Sequence, residues 1–329
     1  MHVHLGAGAP DHLSETVKHG PIGIAGGGRV AQAIGRILRD KGEPVVSVAS
    51  RSHERASAAA EFIGAGVQPV TYEELPRYAA RILIAVSDDA VESVAARLAA
   101  DSGIALHTCG AKGPEALRSL QVRGVHCGTL HPLQTFPDAA TGVAGLHNIA
   151  FAVSGDSAAV EWADQIVALT GSRSLHIKPE LRPLYHAAAA MASNYIVALL
   201  AASETVMTMA GVETSEALPA LSPLIRASID HVLRFGPVAA LTGPIQRGDV
   251  ATINSHVNAL ASAPEPVRLL YRAAGLEALE IAKKRDLNAD TASSIEKILR
   301  NDTSNEPGAH PGPDETKGSR SKDRDADRL

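Results

Sequence analysis

Along the first half of the chain, short apolar runs alternate with stretches whose apolar residues recur every three or four positions. The runs occupy residues 22–25, 45–49, 82–86, 104–108, 125–130 and 149–153. Helical spacing is clearest in Val30, Ala33, Ile34, Ile37 and Leu38. Strand–helix alternation of this kind predicts a parallel, doubly wound sheet. After Pro179 the pattern changes to Ala/Leu-rich helical stretches at 183–210, 215–235, 249–261 and 265–285, with no strand run between them. The expected class is therefore α/β, a parallel-sheet domain over 20–179 followed by an all-α domain over 180–300. Residues 1–19 and 301–329 lack apolar periodicity and are expected to be disordered tails, because nothing in them offsets the entropy of ordering.

Composition narrows the partners. A chain of 329 residues with 45% hydrophobic positions can bury a real core in two domains. The balance of 31 basic and 36 acidic residues gives a net charge of −5, which excludes a dominant basic field and a nucleic-acid partner. Aromatics at 3% leave no stacking platform for single strands. The first nineteen residues lack a cationic start followed by an apolar core, so no signal peptide is expected. Residues 187–202 are apolar enough to suggest a membrane span. Ser193, Asn194 and the many alanines fit a close-packed interface helix better, so no membrane partner is expected. Two cysteines, Cys109 and Cys127, make no disulfide framework and fit a reducing cytoplasm.

The strongest motif follows the first run. Gly26-Gly27-Gly28-Arg29-Val30-Ala31 supplies the G-x-G-x-x-A form of a dinucleotide fingerprint between a strand and an amphipathic helix. The first glycine permits the turn, the second admits a pyrophosphate to backbone N–H groups, and the small third residue lets helix pack on strand. The helix N-terminus then faces that anion. This predicts a Rossmann-type domain. NAD-binding domains usually end the second strand with an acid for the ribose 2′-hydroxyl; here Val48-Ala49 runs into Ser50-Arg51-Ser52. A guanidinium between two hydroxyls suits a 2′-phosphate, so the expected cofactor is NADP(H). Ser52 also fits the cap of the next helix.

These stretches, with Val86-Ser87-Asp88-Asp89, His131-Pro132-Leu133-Gln134, Tyr185-His186, Ser193-Asn194 and Leu241-Thr242-Gly243-Pro244, carry a resemblance. The chain resembles Rossmann-like oxidoreductases whose C-terminal half is a domain of unknown function. They lie in the wider superfamily with a 6-phosphogluconate-dehydrogenase-like helical domain. That superfamily includes ketopantoate reductases and pyrroline-5-carboxylate reductases. The resemblance implies an NADP-dependent reductase of a small 2-keto acid, with ketopantoate reduction in pantothenate synthesis the leading candidate. The alternatives are an imine reductase like pyrroline-5-carboxylate reductase and a non-enzymatic NADP(H)-binding module. It also implies a homodimer through the helical half. One departure stands out: orthodox ketopantoate reductases carry a catalytic lysine early in that half, whereas no lysine occurs between Lys178 and Lys283.

Ligands in such folds bind beyond the carboxyl ends of the strands, which selects Val86, Ser87 and Asp88, the turn after Thr108, and His131. A carbonyl receiving hydride needs a proton donor, and histidine is the natural type where lysine is absent. His186 is the first candidate and His131 the second, with Pro132 expected to shape a loop beside the nicotinamide. In one long helix, Ser193 would share a face with His186, and Asn194 would edge it, leaving room for a small substrate. Thr242, Arg247 and Asp249 are candidate substrate residues, Arg247 for a carboxylate; a plain Arg247–Asp249 salt bridge is the bland reading. His107, Cys109, Cys127 and His131 include zinc-ligand types, but their spacing matches no zinc motif, and no metal is expected.

Overall fold

The computed structural model describes residues 20–301, so both expected tails lie outside the described residues apart from Asn301. The described residues divide into two compact units after Ile196, rather than at 179/180. The strand pattern ends near 179, but the helix that follows groups with the sheet.

In the first unit eight strands form one sheet: β1 (Ile22–Ala25), β2 (Val45–Ala49), β3 (Gln68–Val70), β4 (Arg81–Ile84), β5 (Ile104–His107), β6 (His126–Pro132), β7 (Ala150–Gly155) and β8 (Arg173–His176). Their order is β3-β2-β1-β4-β5-β6-β7-β8. The sheet is parallel as expected except at one pair, where β6 and β7 run antiparallel with His131 opposite Ala152. An antiparallel neighbour needs no crossover back to the starting edge, and the chain between these strands forms only the short helix Ala139–Gly145. His131 and Pro132 therefore belong to a strand, not to the expected loop.

Strand alternation builds a core on each face. In β4, Leu83 joins the cluster of Ile24, Leu106, Leu130 and Trp162. Ile82 and Ile84 join the opposite cluster with Leu117, Leu120 and Cys127. Helix α1 (Arg29–Asp40) buries Ala31, Ala33, Ile34, Ile37 and Leu38, the spacing seen in the sequence. Helix α2 (His53–Ile63) follows β2, and α3 (Arg182–Ala192) ends the sheet unit.

The expected helix over 183–210 is two. The chain breaks at Ser193 (φ −124°, ψ −76°) between α3 and α4 (Asn194–Met209). The stretch Pro179–Met209 is long and apolar enough to cross a membrane by length and composition. The second unit continues with α5 (Thr214–Phe235), α6 (Val250–Ala259), α7 (Glu265–Lys283) and α8 (Ala289–Arg300); the sequence reading had no α8. Its core is small, built on Ile253, Leu279, Ala292, Ile295 and Leu299.

Candidate active site

The glycine loop has the geometry its sequence requires. Gly26 sits at φ +143°, and a Cβ there would overlap the Ala85 carbonyl, so only glycine fits. Gly28 caps α1 with open space in front of it, which leaves the helix N-terminus free for an anion. Gln32 Nε2 donates to the Gly27 carbonyl at 3.0 Å and braces the loop. A groove of about 1070 Å³ opens here, lined by Gly26, Gly27, Gly28, Arg29, Val30, Ser50, Arg51, Val86 and Ser87, all expected from the sequence.

Two expected cofactor residues fall outside that lining. Ser52 caps α2, its Oγ accepting the Arg55 N–H at 3.4 Å. Asp88 is absent from the groove wall. In their place the groove gains Arg55, Tyr72 and Arg97. Arg55 had a signal that went unread: it lies in the first turn of the helix that Ser52 caps. Arg51 and Arg55 together make a basic end suited to a 2′-phosphate. These residues fit NADP(H): glycines for its pyrophosphate, two guanidinium groups for its 2′-phosphate.

At its other end the groove reaches Thr108. His107, fully buried, holds the loop that begins there. Its Nδ1 accepts the Cys109 N–H at 3.2 Å and its Nε2 faces the Gly113 carbonyl at 2.9 Å. Burial pushes its pKa down to about 4.

Two residues past Thr108, Gly110 is the point where side chains converge. A Cβ there would lie 2.5 Å from His186 Nδ1 and 2.8 Å from His131 Nε2. The first two catalytic candidates are thus brought together, although one stands on β6 and the other on α3. His131 Nδ1 is 2.8 Å from the Tyr185 hydroxyl, and His186 Nδ1 is buried without a hydrogen-bond partner among the described residues. Burial first, then the Arg182 and His186 charges, lowers the His131 pKa to about 4. The ring is neutral at physiological pH.

Sequence reading missed Tyr185 and Arg182. Arg182 is fully buried: Nη1 donates to Thr129 Oγ1 at 2.9 Å and Ser154 Oγ at 3.3 Å, and Nη2 donates to the Cys109 carbonyl at 2.9 Å. Nothing in one dimension marks an arginine as buried; only the sheet brings Thr129 and Ser154 to it.

Other candidates are placed differently. Ser193 sits at the helix break, so the shared face with His186 is interrupted, and Asn194 is exposed. Thr242, Arg247 and Asp249 belong to the second unit. Asp249 caps α6, its carboxylate accepting the Thr252 N–H at 3.0 Å and the Thr252 hydroxyl at 2.7 Å, and no Arg247–Asp249 bridge forms. The zinc-type side chains have other partners: both His107 nitrogens bind backbone, Cys109 Sγ accepts the Lys112 N–H at 3.4 Å, Cys127 Sγ lies 3.4 Å from the Val125 carbonyl, and His131 meets Tyr185 through Nδ1.

Comparison with known proteins agrees with the groove. Residues 21–105 match the family described as NADP oxidoreductase, coenzyme F420-dependent. Residues 149–278 match a domain of unknown function, DUF2520. A protein from Bacteroides fragilis, provisionally described as an NADP oxidoreductase, is 23% identical with a TM-score of 0.64, over 81% of this chain and 99% of its own. A Thermotoga maritima protein is 23% identical with a TM-score of 0.65, over 81% and 100%. A 1-pyrroline-5-carboxylate reductase from Streptococcus pyogenes is 19% identical with a TM-score of 0.52, over 85% and 96%. No curated protein matches the chain. Fold and family matches define a Rossmann-like oxidoreductase domain with NADP as its cofactor, followed by a helical region. The ketopantoate relation gains no support from these matches.

Proposed function

We propose that the protein is an NADPH-dependent imine reductase, similar in type to pyrroline-5-carboxylate reductase, acting on a small C=N substrate. The observation that carries this reading is the weak acidity of the groups around Gly110: a neutral His131, a Tyr185 phenol raised by burial, and no lysine on α3. A ketone oxygen is scarcely basic until hydride has arrived, so its reduction calls for a strong, positioned acid. An imine nitrogen is basic from the outset, so a weak donor such as a phenol or a neutral imidazole suffices. The solved pyrroline-5-carboxylate reductase of the same fold supports the choice. The lysine that orthodox ketopantoate reductases carry early in the helical half has no counterpart between Lys178 and Lys283.

The test is NADPH oxidation across a panel of cyclic imines and 2-keto acids. Imines are expected to turn over faster; turnover confined to keto acids overturns the reading. The enzyme is further assigned as a homodimer, because α4 buries none of its 16 residues and α5 only Ala217 of its 22. Two buried free thiols support a reducing cytoplasm as its location.

A further inference from the structure

We propose that Tyr185 supplies the substrate's proton through His131, whose Nδ1 faces the hydroxyl and whose Nε2 faces the space over Gly110, with Arg182 steadying the phenolate left behind; this rests on the reductase reading above. The Tyr185 hydroxyl is 2.8 Å from His131 Nδ1, and the rings meet edge-on with centroids 5.6 Å apart. His131 is itself fixed by its strand register opposite Ala152.

Arg182 supplies the second, independent observation. It precedes Tyr185 by three residues on α3, so the two side chains are neighbours on one helix face. Its guanidinium carbon lies 5.9 Å from the Tyr185 ring centroid. Among the described residues it makes no ion pair: its partners are two hydroxyls and a carbonyl, and its Nε has none. A buried cation without an anion is costly, and it favours any negative charge that forms beside it. The phenolate of Tyr185 is such a charge. His186 Nδ1, also unpartnered, points with His131 Nε2 at the space over Gly110, two residues from the end of the dinucleotide groove. A substrate nitrogen set in that space would have these two ring nitrogens as neighbours, with the His131 ring standing between it and the Tyr185 hydroxyl.

When bound, NADPH supplies the hydride. The substrate carbon receives it with its electron pair, and the π pair of C=N becomes a nitrogen lone pair. The Nε2–H bond of His131 breaks as the N–H bond of the amine forms, and His131 Nδ1 takes the proton of the Tyr185 hydroxyl. His131, left in the tautomer that carries Nδ1–H, then returns that proton to the phenolate while its Nε2 takes one from solvent, which restores the starting state. Arg182, His186, His107 and Asp88 are the charged and titratable groups facing His131, and burial with the first two keeps its ring neutral. A neutral ring can pass a proton without storing one.

Tyr185→Phe tests this. The kcat on the best imine should fall by about 10²–10³-fold, the range of a lost general acid. The KM, the NADPH dissociation constant and the unfolding midpoint should stay put. A second readout needs no turnover. The ultraviolet difference on alkaline titration between the unaltered protein and Tyr185→Phe reports Tyr185 alone. Its midpoint should rise in Arg182→Met, because Arg182 lowers the phenol's pKa, and should return toward the original value in Arg182→Lys. Turnover surviving Tyr185→Phe within about threefold, or a kcat loss matched by lost stability, overturns the proposal alone. NADPH binding with no turnover of either substrate class overturns the reductase reading and this proposal with it.

Discussion

His107 donates from Nε2 to the Gly113 carbonyl at 2.9 Å, and that bond fixes the tautomer of a buried imidazole. A carbonyl only accepts, so Nε2 carries the proton. The Cys109 N–H only donates, so Nδ1 must be bare. A second proton would sit against the Cys109 N–H. The loop presenting Thr108, Cys109 and Gly110 is therefore held by a histidine that must stay neutral.

Stability should fall in acid for this reason. The pKa of His107 drops from 6.5 to about 4 on folding, chiefly through burial, so the unfolded chain binds more protons between those values. The contribution is complete above 6.5 and is lost as pH falls toward 4. A shift of this size is worth up to roughly 3 kcal/mol. His131, depressed to about 4 as well, titrates in the same window. Urea midpoints measured from pH 7 to pH 4.5 should decline, and less steeply in His107→Gln. Equal slopes for the two proteins would show that His107 is not the group responsible.

Cofactor choice should rest on two arginines. Arg51 and Arg55 line the groove where no acid ends β2. A hydrogen bond to a charged group contributes about 1.5–3 kcal/mol, so Arg51→Ala should weaken NADPH binding tenfold or more and leave NADH unchanged. The double substitution with Arg55→Ala should bring the two cofactors level. Calorimetric titration with each nucleotide decides it.

Two glycines should fail in different ways. In Gly26→Ala the new methyl meets the Ala85 carbonyl at φ +143°, and backbone cannot yield cheaply. Lost cofactor binding and about 1–3 kcal/mol of stability are expected. In Gly110→Ala the nearest atoms the methyl meets are ring atoms of His131 and His186, side chains that can swing aside. The fold and NADPH binding should survive, while kcat falls on the order of a hundredfold, the effect of reacting groups displaced by about 1 Å. Thermal melts beside steady-state kinetics separate the two cases.

What the sequence disclosed was local. Gly26, Gly28 and Ala31 announce themselves within six residues, and β1, β2, β4 and β5 are apolar runs buried on both faces. The two strands that escaped notice, β3 and β8, are the two edges of the sheet. Gln68-Pro69-Val70 contains a proline that only an edge tolerates, and Arg173-Ser174-Leu175-His176 is polar because its outer side is uncovered. The site was half legible. Histidine chemistry drew attention to His131 and His186, but the hydroxyl bound to His131 lies 54 positions away in the chain. Such a pairing has no periodicity to betray it.

The helical unit makes the last prediction. Helix α5 exposes Leu224, Ile229, Val232, Leu233 and Phe235, with Leu233 at 81%, and α4 exposes Val197 at 69% together with Leu199. Between α4, α5 and α7 lies an apolar cavity of about 560 Å³ walled by Met207, Leu221 and Leu270. Helices carrying that many uncovered apolar side chains are unstable alone in water, since each side chain left exposed forgoes about 1.5–3 kcal/mol of burial. A lipid surface would be one cover, but Glu204, Glu213, Arg226, Asp230 and Arg234 on the same two helices and their link would meet it with charge. A second copy related by a twofold axis would cover the same surface and would present complementary apolar helices. Light scattering at micromolar concentration should give twice the chain mass without detergent. Leu233→Glu with Val232→Lys should release monomers that bind 8-anilinonaphthalene-1-sulfonate. A monomer mass for the unaltered protein, with full activity, would show that these helices need no partner.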